Sequence, residues 1–289
     1  MRKSLLIYAG ILAGVFALLT LLDSRSQYAA EKIIWKTNKR LQAVSQNPEA
    51  FPDRVFEQLI ARYQKVAEKF PASSLTAQAR LLIGEVYLVR KSYDTARQKF
   101  NEVMEKFPDN KDIYAEALSS LGKSYELQND WENALTYYKR ILAEHPLTNH
   151  GLAAPLYIAR HYAEQDDRIK QQIAYADATL HYIGLTEKYP GTEIEQKSLK
   201  LLTDCYVIQE KWPEALETMQ EIILKYPDAE TVLPLIKPIG ILAVTKLHNP
   251  ELAVMIYQNF IKTNPGSPLN DTMNDLISKL VELDKKPAS

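Results

Sequence analysis

The chain of 289 residues has one cysteine, nine glycines and five histidines. A single thiol, Cys205, excludes an internal disulfide framework and any paired-cysteine motif, and it reads as a packing residue. So few glycines favour helices over sheets, and no glycine-rich loop is there to cradle a phosphate. His145, His150, His161, His181 and His248 include no pair at the i, i+4 spacing of a helical metal site. A nucleophile elbow is absent as well. Charge of one sign is also missing: 35 basic against 36 acidic residues leave a net charge of -1, so no global field draws the chain to nucleic acid. These absences leave an enzyme as a remote alternative and predict neither a cofactor nor a metal.

What is present is repetition. Pro71, Pro108, Pro146, Pro190, Pro227 and Pro265 each follow an aromatic residue, a histidine or an asparagine, at intervals of 37, 38, 44, 37 and 38 residues. Twelve residues before five of them stand Ala96, Ala134, Ala178, Ala215 and Ala253, and Gly84 and Gly122 lie 24 before Pro108 and Pro146. Small residues at fixed offsets let two antiparallel helices cross closely, so Gly84 is expected to face Ala96, and Gly122 to face Ala134. The proline then closes the second helix of each pair. The apolar content of 46% suits a large helical core, and a period of this length marks an all-α solenoid of helix pairs that works by offering surface to other proteins.

The order Ile83, Gly84, Tyr87, Tyr93, Ala96, Phe100, Val103, Pro108, then Leu121, Gly122, Tyr125, Trp131, Ala134, Tyr138, Ile141, Pro146 resembles the tetratricopeptide repeat, or TPR. Leu202, Tyr206, Trp212, Ala215, Met219, Ile222 and Pro227 form a third good copy, with Thr203 in the glycine slot. The stretch before Pro265 matches less well, because Pro234 and Pro238 are expected to interrupt its first helix. The resemblance covers residues 54–266. Longer spacing and Lys-Phe-Pro or Lys-Tyr-Pro ends are similar to bacterial envelope TPR proteins, among them the outer-membrane barrel-assembly lipoprotein and the Tol-Pal accessory protein. The chain departs from the lipoprotein in having no cysteine after its apolar start.

In this family the first helix of each pair lines a concave groove. The resemblance therefore implies that Glu85, Lys123, Glu126, Arg160, Glu164, Lys197, Lys200 and Asp204 face it, as a peptide channel of mixed charge or as an ordinary solvated face. Leu81 and Glu85 stand where a carboxylate-gripping TPR would carry polar or basic side chains, which argues against that ligand. The long interval holds seven extra residues around Asp166 to Gln172 and predicts a longer helix pair between Ala153 and Tyr189. Insertions of this kind map to one face of a repeat array, as a partner site or a tolerated extension.

At the N-terminus, Leu5 to Leu22 is an uncharged apolar run of 18 residues behind Arg2 and Lys3. That length reaches about 27 Å as a helix, enough for a bilayer core of about 30 Å. Ser24-Arg25-Ser26 is a poor cleavage site, so residues 1–26 are expected to be an uncleaved single-pass anchor, with a secreted, cleaved form as the variant. The basic start and the subgroup resemblance put the repeats on the periplasmic side. Residues 27–53 are expected to continue as a helical stalk, with Ala30, Ile34, Thr37, Leu41 and Val44 on the face that packs against the first repeat. At the other end, residues 267–289 supply a capping helix from about Pro268 to Leu283 and a tail. The functional expectation is a membrane-anchored scaffold or adaptor in cell-envelope assembly, with a structural subunit of a larger membrane complex as the alternative.

Overall fold

A computed structural model describes residues 27–71 and 75–284. The expected anchor Leu5–Leu22, the cleavage site at Ser24–Ser26, and the tail beyond Asp284 lie outside the described residues. Thirteen α-helices and no strand occur among the described residues. None of these helices is long and apolar enough to cross a membrane. The described residues fall into two compact units, one up to His150 and one from Gly151.

The first unit contains α1 (Gln27–Gln46), a short 3-10 turn (Pro48–Ala50), α2 (Asp53–Lys69), α3 (Leu75–Val89), α4 (Tyr93–Lys106), α5 (Lys111–Glu126) and α6 (Trp131–Glu144). The second is built from α7 (Asn149–Glu164), α8 (Arg168–Lys188), α9 (Glu193–Ile208), α10 (Trp212–Lys225), α11 (Ala229–Thr245), α12 (Pro250–Thr263) and α13 (Asn270–Asp284). Within each unit, consecutive helices pack as antiparallel pairs. Successive pairs also touch: the first helices α3 and α5 meet in one unit, and the second helices α10 and α12 meet in the other.

The six prolines act through the residue before them. Phe70, Phe107, His145, Tyr189, Tyr226 and Asn264 are the terminal caps of the second helices, all with φ between -137° and -125°. A following proline ring excludes the helical conformation at these residues, so each helix stops one residue short of it. Eight residues before the prolines sit Tyr63, Phe100, Tyr138, Tyr182, Met219 and Tyr257, all buried.

This large slot corrects the expected glycine–alanine crossing. A Cβ placed on Gly84 would lie 2.4 Å from the Phe100 ring, and one on Gly122 would lie 2.8 Å from the Tyr138 ring. The glycines are therefore small because the ring of the partner helix occupies their side-chain space; Ala96 and Ala134 are buried but are not the nearest atoms. Gly240 repeats the arrangement more loosely, with the Tyr257 hydroxyl 3.0 Å from its would-be Cβ.

Turns inside the pairs share one conformation. Lys91, Asn129, Asp166, Glu210 and His248 have φ from 50° to 62°, a left-handed cap that ends the first helix although none is glycine. In four of them the next amide reaches back to the carbonyl of Tyr87, Tyr125, Tyr162 or Tyr206 at 2.8 to 3.1 Å. Because Asp166 occupies this slot, all seven extra residues of the long repeat fall after the turn. They lengthen α8 to 21 residues, against 14 for α4, α6, α10 and α12.

The stripe Ala30, Ile34, Thr37, Leu41 and Val44 is the buried face of α1 and packs with Phe56, Leu59, Ile60 and Tyr63 of α2. The Tyr63 hydroxyl donates to the Asn38 side chain at 2.6 Å. Contrary to the sequence expectation, Pro234 and Pro238 do not interrupt α11. Each removes one ladder bond, but the two prolines sit four apart, so the bond lost at Pro238 is one the Pro234 carbonyl would have accepted, which confines the defect to one side. Buried Val232, Ile236, Ile239, Leu242 and Ala243 hold that helix in the core. Helix α13 begins two residues later than expected and buries Met273 and Leu280 against that core, with Leu269 just ahead of it.

Candidate functional site

The predicted site residues lie on the first helices of their pairs, α3, α5, α7 and α9. In the first unit Glu85 of α3 accepts a hydrogen bond from the Ser120 hydroxyl of α5 at 2.5 Å, which ties the two faces together. Glu116, one turn before Ser120, has its carboxyl raised above the usual range by burial first, then by the negative charge of Glu85 and Asp112. Lys123 is exposed on the same helix and makes no ion pair among the described residues. Glu126 accepts from the Tyr138 hydroxyl at 2.9 Å, so it is partly committed to the core slot. The face is thus a carboxylate surface with the Lys123 ammonium beside it.

The second unit places its predicted residues on α7 and α9. Arg160 and Asp204 approach to 4.0 Å across these helices, and burial raises the Asp204 carboxyl although Arg160 pulls it down. Lys197 pairs with Glu193 at 2.8 Å along its own helix. Glu164 and Lys200 are exposed without an ion pair among the described residues. Arg160 and Asp204 are therefore brought together, Lys197 is bound locally, and Glu164 and Lys200 remain open to solvent.

Sequence reasoning missed two features, one in each unit. Glu116 went unnamed because it lies at the start of its helix, away from the glycine that anchored the projection. The other is a cleft of about 390 Å³ between α11 and α13, lined by Lys237, Ile241, Val244, Tyr257, Leu276 and Lys279. The signal for it was available: Gly240 lies 25 residues before Pro265, one off the offset of Gly84 and Gly122. The two prolines in α11 hid it.

Buried polar groups elsewhere serve the fold. Glu195 accepts from the Gly191 amide at 2.7 Å, from Lys225 at 2.7 Å and from the Tyr226 hydroxyl at 2.6 Å. Burial pushes its carboxyl up, but these bonds outweigh burial and hold it below the usual carboxylate range. Burial first, and then the Glu195 carboxylate, push the Tyr226 phenol up to about 12. Cys205 is fully buried and burial pushes its thiol up to about 11, which suits packing rather than nucleophilic chemistry. Among the described residues no three metal-ligating side chains converge.

Residues 75–143 match a family model described as tetratricopeptide repeat. No curated protein matches the chain. Among solved structures, the chain is similar to the TPR2AB domain of yeast Sti1 in complex with pHSP90, at 14% identity, covering 89% of this chain and 100% of that one, with a TM-score of 0.35. A thermophilic TPR protein of Thermus thermophilus is similar at 15% identity, over 71% and 97% of the two chains, with a TM-score of 0.40. PilW, a type IV pilus biogenesis factor, is similar at 16% identity, over 82% and 97%, with a TM-score of 0.40. At these scores none assigns a ligand or a partner. The described residues form all-α, TPR-like helix pairs, and residues 75–143 match the tetratricopeptide-repeat model.

Proposed function

We propose that this protein is an adaptor that binds other proteins or peptides on the exposed faces of its first helices. The observation that carries the reading is the carboxylate surface of α3 and α5, where Glu116 sits close to Glu85 and Asp112 and is held up by burial first and then by their negative charge. Bringing like charges together costs stability in the free protein, and a cationic segment of a partner would relieve it. In the second unit the open side chains Glu164 and Lys200 and the loose Arg160–Asp204 pair offer a face of mixed charge for the same kind of contact. The adaptor reading extends to an anchor at Leu5–Leu22, repeats on the periplasmic side and a role in cell-envelope assembly. The apolar run behind Arg2 and Lys3 supports the anchor, and the Lys-Phe-Pro and Lys-Tyr-Pro repeat ends support the envelope role.

A photo-crosslinking residue at Lys123, introduced into the full chain in its native membranes, tests the partner face. It should trap a defined protein, and the double variant Glu85→Lys, Glu116→Lys should abolish the adduct while leaving the protein folded by circular dichroism. An adduct insensitive to the reversal would reject the carboxylate surface as the site. Alkaline carbonate washing tests the anchor separately: retention in membranes is expected, and release would remove the anchor from the proposal.

A further inference from the structure

The seven residues that lengthen α8 do more than extend it. Ile169, Ile173 and Leu180 are exposed at 75%, 57% and 68%. Ala176 and Gly184 are exposed too, and a Cβ on Gly184 would meet nothing within 4 Å. At 100° per residue these five positions fall on one narrow stripe of the helix. Glycine inside a helix is destabilising relative to alanine, and nothing within the described residues packs into the space it leaves. The stripe is an apolar face that ends in a hole.

We propose that this stripe is a dimerisation face, on which a second copy of the chain packs with its α8 antiparallel, about a two-fold axis beside Ala176. The inference goes beyond the adaptor reading, since none of the residues assigned to partner binding lies on α8. Its basis is that the stripe complements itself. Turned end for end about the point midway between Ala176 and Asp177, it places the bulky Ile169 of one copy over the open space at Gly184 of the other, and Ile173 opposite Leu180. A self-complementary patch of this kind is what an isologous two-fold contact requires. A partner of another kind would need no such symmetry between the two ends.

Size is consistent with the same occupant. From Ile169 to Gly184 the stripe runs about 22 Å at ~1.5 Å per residue. Closing two copies over each other buries on the order of 1,000 Å², the lower edge of specific interfaces, so the dimer is weak and concentration-dependent. Asp177 flanks the stripe and meets its own copy beside the axis, a like-charge contact that keeps association weak.

Cysteine crosslinking of the full chain in mild detergent reads the register directly. The one native thiol, Cys205, is buried and does not compete. Under dissolved oxygen with a copper catalyst, two thiols of Ala176→Cys chains facing each other are oxidised to a disulfide, giving a covalent dimer. Ile169→Cys alone should give none, because its own copy lies about 22 Å away along the pair. An equimolar mixture of Ile169→Cys and Gly184→Cys chains should crosslink. Adding Leu180→Glu to Ala176→Cys should remove the dimer, and Asp177→Asn should lower the dissociation constant severalfold in sedimentation. No dimer with Ala176→Cys, an equal yield with Ile169→Cys, or a crosslink indifferent to Leu180→Glu would overturn the proposal.

Discussion

Helices α3 to α6 and helices α7 to α13 solve the same packing problem with different residues. In the first region each pair closes by placing a ring on a glycine, Phe100 on Gly84 and Tyr138 on Gly122. In the second, Ala159 and Thr203 take the glycine slot of α7 and α9, opposite Tyr182, which donates its hydroxyl to the Leu152 carbonyl at 2.7 Å, and the buried Met219, while Gly240 of α11 keeps a glycine more loosely against the Tyr257 hydroxyl. Residues 75–143, which match the family model, are those in which both pairs set a ring on a glycine. The family pattern records one solution of the crossing, whereas the second region keeps the geometry and changes the chemistry. It also frees surface, because its inserted helix turns and its proline-bearing helix carry exposed apolar side chains, among them Ile169, Ile173, Leu233 and Ile241.

The largest expected effect separates the two crossings. Phe100→Ala should cost about 3–5 kcal/mol, since the ring fills its slot against glycine and leaves a rigid cavity. Met219→Ala, in the equivalent slot of the repeat without glycine, should cost about 2–3 kcal/mol. Urea midpoints of the two variants check the order, and a greater loss at Met219 would break the comparison.

Next in size is the Glu195 cluster, a device of the second region. Glu195→Ala removes the acceptor shared by the Gly191 amide, Lys225 and Tyr226, leaving Lys225 to Glu221 and Tyr226 to the Thr192 carbonyl at 3.3 Å, and should cost about 1–3 kcal/mol at pH 7. Because the folded carboxyl titrates below its ordinary value of 4.5, its contribution is complete at neutral pH and is lost as pH falls from about 4.5 through the folded value. Glu195→Gln should therefore flatten the acid side of the stability profile; a profile parallel to the parent would assign acid sensitivity to other groups.

The smallest effect concerns the turns. Glu210→Gly should gain about 0.5 kcal/mol, because glycine adopts the left-handed conformation without strain but loses more chain entropy. Asn129→Gly should change stability less, since asparagine tolerates that conformation. Thermal midpoints in which Asn129→Gly gains more would reverse this ranking.

The prolines, the aromatic residues before them and the alanines at fixed offset made the helix pairs legible in the sequence, because each acts through local sterics. The buried stripe of α1 was legible for the same reason, as an apolar period in a segment without glycine or proline. Glycine pairing was read only in part: the offset pointed to a close contact, but a residue with no side chain does not reveal that a ring fills its space. The left-handed turns were hidden, since lysine, asparagine, aspartate, glutamate and histidine occupy a slot where glycine is the usual signal. The candidate face was legible where it followed the glycine register, at Glu85 and Lys123. It was lost where long-range charge mattered, at Glu116, and where the second region departed from the register, at Ile241.

One paired measurement tests the contrast between packed and open surface most directly: calorimetric unfolding of Gly84→Ala and Gly184→Ala at low protein concentration. The same methyl group is added in mid-helix in both. At Gly84 it must displace the Phe100 ring and should lower stability by about 1–3 kcal/mol, whereas at Gly184 it enters open space and should raise it by about 0.5–1 kcal/mol. Opposite signs are the predicted result, and shifts of the same sign would contradict the account.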